Sequence, residues 1–222
     1  LSFIHGRPLI SSVFPVGAFA FSDGLETAAA NGLVPDPASL GEWMNHFLDS
    51  VFTPCEGLGL AKCMSALARA DDDTLHRIDE ELTAIRPSAS VRAASTGVGK
   101  RLLTLYSSIC DDESFSALAR KLPKGNAAAA YAVVFSHLGL SPRDAVLAFG
   151  YNRLAGIVSA GLRLISIGHQ QGQILLTRTL SRLPDSSDCI LRMGDAPLRS
   201  FSPILDIQQM NHQYVYSRLF RS

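Results

Sequence analysis

Histidines, cysteines, serines and one glycine-lysine run are the residues here that could carry chemistry. The six histidines are His5, His46, His76, His137, His169 and His212. None falls in an HxH, HxxxH or HExxH arrangement, the spacings that put two metal ligands on one strand edge or helix face. They read as surface or satisfied core groups. His5 and His212, nearest the ends, are the candidates for a transient metal contact at a subunit interface. Cys55, Cys63, Cys110 and Cys189 form no CxxC pair. They are expected to be small buried apolar residues of a reduced, cytosolic protein. The run ASTGVGKR (94–101) approaches a phosphate-binding loop but places Ala94 at the first glycine position. Arg101 stands where a magnesium-binding hydroxyl belongs, so the run is expected to be helix. No G-x-S-x-G elbow accompanies the serines. The aromatic residues alternate with leucine and valine instead of lysine, which suits a core and not a base-stacking surface. No catalytic constellation is legible.

One stretch has an unusual composition: FPVGAFAFSDGLE, residues 14–26. Asp23 and Glu26 fit the D-x-x-E pattern of a capping box. Asp23 would accept from the Glu26 amide, and Glu26 would reach back to the amide of Asp23. Phe14 to Phe21 is then the approach to a helix, bent by Pro15 and Gly17, and the helix ends near Asn31-Gly32.

The elements that must position these residues are helical nearly throughout. Leu40, Trp43, Met44, Phe47, Leu48, Val51 and Phe52 form a wide apolar stripe at helical spacing. Pro37 suits its first turn, and Pro54 marks its expected end. Leu75, Ile78, Leu82 and Ile85 repeat the pattern up to Pro87. Further helices are expected over Val91–Ile109, Phe115–Leu122 and Asn126–Leu140. Ser141-Pro142-Arg143-Asp144 reads as N-cap, first helical residue and first-turn acid. The helix it opens is expected to run to about Ile167. Its Gly150, Gly156 and Gly161 suggest close approach by neighbouring chain. HQQGQILLTRTLSRL gives another helix before Pro184, and GDAPLRSFSP (194–203) resembles a linker. No period-2 alternation bounded by turns occurs. The expectation is an all-α chain, a single compact domain over residues 1–222, with about eight to ten helices.

Composition bounds the partners. Twenty basic and twenty acidic residues balance, which argues against nucleic acid or an anionic membrane surface. Apolar residues make up 47% and charged residues 18%. That low charge content leaves room for surface covered by other proteins. No apolar run long enough to span a membrane is expected, because His137, Arg153 and Arg163 interrupt the candidates. The opening LSFIHGRPLI lacks the pattern of a signal peptide.

Three segments together resemble urease accessory protein F (UreF). FPVGAFAFSDGLE is similar to that family's Pro-Ile/Val-Gly, aromatic, Ser, Gly-Leu-Glu signature. LRLISIGHQQGQILL (162–176) resembles its Gln-x-x-Gly-Gln segment. SPILDIQQMNHQYVYSRLFRS (202–222) resembles its closing proline, aspartate, Met-x-His and Ser-Arg-Leu-Phe-x-Ser. The resemblance implies an all-helical, non-enzymatic maturation factor for nickel urease, with no cofactor of its own and nickel handled only transiently. It implies a cytoplasmic homodimer that binds a scaffold accessory protein (D or H type). It also implies recruitment of an accessory GTPase (G type) to apo-urease. The carried-over contact residues are Pro15, Gly17, Phe19, Phe21, Ser22, Gly24, Leu25 and Glu26 in the first motif. Gln170 and Gln173 follow in the second, then His212, Tyr214, Tyr216, Arg218, Leu219 and Phe220 in the third. The segment 1–21 and the tail 204–222 are expected to meet partners, the tail remaining flexible until binding orders it. Tyrosine and arginine there suit an interface. The alternatives are a helical small-molecule-binding regulator and a helical hydrolase or transferase with dispersed catalytic residues.

Overall fold

The computed structural model describes residues 20–110 and 112–221. Among these it is all-helical, as the periodicity implies, with no strand. The helices in order are α1 (Leu25–Ala30), α2 (Pro37–Phe47), α3 (Leu58–Ala68), α4 (Asp72–Ala84), α5 (Ala89–Cys110), α6 (Glu113–Ala119), α7 (Ala127–His137), α8 (Pro142–Leu164), α9 (His169–Leu180), α10 (Leu183–Met193) and α11 (Pro203–Asn211). A 3₁₀ turn, His212–Tyr214, follows α11.

Local chemistry sets five of the starts among the described helices. Asp36 caps α2 by accepting from the Ser39 amide at 2.9 Å, and Pro37 takes the first helical position. Asp71, Asp112 and Asn126 cap α4, α6 and α7 in the same manner. Ser141 caps α8 as its S-P-R-D sequence implies, accepting from the Asp144 amide at 3.1 Å.

One expected end is overturned. Pro54 does not stop the helix. Leu48–Gly57 winds as a π-helix with Pro54 inside it and joins α2 to α3 without a break. Proline lacks an amide and clashes with the carbonyl four residues back in an α-helix; a wider turn loosens that conflict. The Pro54 carbonyl accepts from the Arg199 amide at 3.0 Å, which ties the 194–202 linker to this turn.

The core sits around α7, whose residues from Ala128 to Phe135 are all buried. It lies between α3 and α5, with α4, α6 and α8 also against it. The apolar stripe of α2 and the π stretch is buried as its spacing requires. Helix α8 is long and apolar enough to cross a membrane by length and composition, but half of its apolar window is buried inside the bundle. Close approach explains two of its three glycines. A Cβ at Gly150 or Gly161 would stand 2.6 Å from a methyl of Leu183 or Leu40, whereas at Gly156 it would meet nothing within 4 Å.

A buried carboxylate fixes the loop before α7. Asp79 is fully buried and accepts from the amides of Lys124, Gly125 and Asn126 at 2.7, 3.0 and 2.7 Å. Truncation strands those donors. Asp79→Ala is therefore expected to lower the unfolding free energy by about 3 kcal/mol or more in urea melts. Removing the exposed Asp36 cap is expected to cost only about 1 kcal/mol.

Candidate partner-binding site

The sequence between Phe21 and Glu26 folds differently from a capping box. Asp23 and Gly24 both have positive φ, 52° and 87°, so the chain turns sharply just before α1. Gly24 occupies the cap position, and α1 has no side-chain cap. A Cβ on Gly24 would lie 3.0 Å from Gln209 Cγ and 3.1 Å from the Gln209 amide, because α11 crosses here. The turn sends the two carboxylates of the motif to separate destinations, and neither serves α1.

Glu26 receives the C-terminal segment. It is 3% exposed. One oxygen lies 2.7 Å from His212 Nε2 and accepts from the Phe220 amide at 3.3 Å. The other accepts from the Leu219 amide at 2.5 Å. Phe220 is buried beneath the Arg163 guanidinium, 4.3 Å from its ring centroid. The Arg221 amide then donates to the Ala20 carbonyl at 2.8 Å. The first and third sequence motifs are thus one spatial unit.

Asp23 turns inward to a second cluster. Its carboxylate meets Arg153 Nη2 of α8 at 2.5 Å. Arg153 Nε also donates to Glu56 at 2.8 Å, and Glu56 pairs closely with Arg86. Glu56 belongs to the π stretch, and Arg86 to the turn between α4 and α5. Burial pushes the Asp23 carboxyl upward, but the charge of Arg153, then that of Arg86, and the Arg153 hydrogen bond outweigh it. The net result lies below the usual carboxylate range. Asp206 of α11 moves the other way: burial raises it, with only partial relief from Arg86. Burial likewise pushes the Cys55 thiol up to about 12, so it is neutral and inert.

Phe21, Ser22, Gly24, Leu25, Glu26, His212, Leu219 and Phe220 therefore converge. Tyr214, Tyr216 and Arg218 lie on the same tail with their side chains in solvent. Gln170 and Gln173 lie on the exposed face of α9, and no described hydrogen bond joins them to this unit. Pro15, Gly17, Phe19 and His5 fall outside the described residues. His212 is held by Glu26, and among the described residues no three His, Cys, Asp or Glu side chains gather as metal ligands. A serine–histidine pair does occur: His46 Nε2 lies 2.7 Å from Ser202 Oγ. Ser202 is fully buried, so the pair pins the start of α11 and is closed to a substrate.

The outer face of α11 lies in the 204–222 tail expected to meet partners, but motif reading did not single out its residues. Phe201 is 80% exposed, and Ile204, Ile207 and Met210 line the open side of the helix. Leu205, Gln208 and Gln209 are its buried side. Tyr214, Tyr216 and Leu219 extend the apolar surface into the tail. The i, i+3, i+6 spacing of Ile204, Ile207 and Met210 was the available signal, masked by apolar Leu205 on the opposite face.

Two outcomes follow. Glu26→Gln replaces one acceptor oxygen with a donor, so the tail is expected to be cut by trypsin after Arg218 about tenfold faster, with unchanged far-UV circular dichroism. Asp23 has a depressed folded-state pKa, so its contribution is present above the ordinary pKa of 3.8 and is lost as pH falls through the folded value. Asp23→Asn is therefore expected to flatten the fall in melting temperature below that pH.

Comparison with known proteins places this geometry in a family. The UreF family model matches residues 34–180. The urease accessory protein UreF of Microcystis aeruginosa is 33% identical over 215 residues, covering 96% of this chain and 95% of the relative. That of Dechloromonas aromatica is 31% identical over 218 residues, covering 96% and 95%. The urease accessory protein UreF 2 of Brucella anthropi is 28% identical over 222 residues, covering 100% and 97%. With a match across most of its length, the chain belongs to the UreF family of urease accessory proteins.

Proposed function

We propose that this UreF-family chain works by binding: it docks a scaffold accessory protein of the D or H type and helps recruit a G-type GTPase to apo-urease. The observation that carries this reading is the apolar surface from Phe201 through Ile204, Ile207 and Met210 to Tyr214 and Tyr216. Exposed apolar area of this kind, continuous along one helix and its tail, is costly to leave in water and suits a protein partner. Its aromatic content suits interface anchors. The tail beside it is held through Glu26, so a partner that grips the tail also acts on the 21–26 motif. Family membership supports a role in urease maturation. The finer statements are part of the proposal: a homodimer, a cytoplasmic setting, no catalysis by this chain, and nickel as cargo passed through the assembly.

The tail is not simply loose in this reading. Phe220 and the amides beside it are docked on the chain's own domain, while Tyr214, Tyr216 and Arg218 remain presented. Further ordering on the scaffold would involve those outer side chains. The test is Ile207→Asp combined with Met210→Asp, two exposed positions where substitution is expected to shift melting very little. The variant should lose co-purification with the scaffold protein and fail to support urease activation. Retention of the scaffold at wild-type yield would overturn this assignment of the face.

A further inference from the structure

Behind the 21–23 loop lies a cavity of about 100 Å³, unconnected with the α11 face. Its walls are mostly apolar, with Leu82, Val91, Val98, Phe149 and Ile157 among them. Gly156 leaves the α8 side bare, since a Cβ there would meet nothing within 4 Å.

The polar corner is rich in unfilled donors. Arg86 lines the cavity and is 5% exposed. Its guanidinium carries five N–H groups, yet among the described residues its one hydrogen bond goes to Glu56. Ser95 also lines the cavity. Its oxygen accepts from the Ala127 amide at 3.2 Å, and its own hydrogen has no acceptor among the described residues. A buried donor without an acceptor costs about 1–3 kcal/mol, so this corner favours an oxygen acceptor.

Charge decides which acceptor. Asp23, Glu56, Arg86 and Arg153 all line the cavity, and the two carboxylates balance the two guanidinium groups. A carboxylate brought in would add uncompensated buried charge, whereas a neutral carbonyl would not. The volume is below the ~150 Å³ of an apolar cavity that takes benzene, so it admits a body of at most about six heavy atoms.

We propose that this cavity is a binding site for a small uncharged carbonyl compound, a ketone or amide. Its oxygen would sit on Arg86 and Ser95, and its hydrocarbon against Val91, Val98 and Ile157. The test titrates the full chain with cyclopentanone, and in parallel with butyrate, a carboxylate of the same number of heavy atoms, following backbone amide resonances. Cyclopentanone should give saturable shifts at Val91, Ser95 and Gly156. Ser95→Ala should weaken binding about fivefold. Gly156→Leu fills the cavity and improves helix propensity; it should abolish the shifts while melting holds or rises. Absence of saturation at roughly 100 mM, a very weak affinity, would overturn the site. So would equal binding by Gly156→Leu, or tighter binding of the carboxylate.

Discussion

A buried carboxylate must be answered by charge or by hydrogen-bond donors, and Glu26 makes that demand where residues 20–26 meet residues 212–221. Its answer comes from His212 and from the amides of Leu219 and Phe220. Leaving such a group unanswered costs more than any surface pair returns. The path of residues 212–221 is therefore imposed by one side chain almost two hundred positions earlier, and Phe220 fills the apolar site that this path crosses. The motif that looks like a helix start is the receptor for residues 212–221.

The outer surface depends on the same constraint. Helix α11 approaches so closely that a side chain at Gly24 would crowd Gln209 as well as strain the backbone, and Asn31 donates to Gln208 at 2.9 Å. With Leu205, Gln208 and Gln209 turned inward, Ile204, Ile207 and Met210 are left about half exposed to solvent. The apolar display is thus the reverse side of a well-anchored helix. An interface built on it would be preorganised and would lose little ordering entropy on binding.

Much of this was legible in residue patterns, where the cause is local. The α2 stripe, the Ser141 cap of α8, the close-packed Gly150 and Gly161, and the helical fate of ASTGVGKR all arise from spacing within a few residues. The family motifs were equally readable, and the first and third of them converge, whereas Gln170 and Gln173 of the second stand apart. What failed to read out has non-local causes. Asp23 and Glu26 satisfy a capping pattern, but Arg153 and the 219–220 amides outcompete the α1 amides for them. Arg86, Glu56 and Arg153 carry no shared motif, since they lie on three separate elements. Pro54 reads as a stop because proline rules describe α-helices, and the chain evades them by changing helix type.

That change of helix type has a consequence for how the gene can vary. A π turn holds more residues than an α turn, so the run from Leu48 to Gly57 behaves as slack already wound into the rod. Losing one codon there would tighten the rod towards ordinary winding, set Pro54 against the carbonyl four residues back, and swing Glu56 away from both arginines. The same deletion in the 194–202 linker would merely shorten a strap. Length in this part of the rod is therefore under electrostatic control, although the constraint is invisible in the identity of any single amino acid.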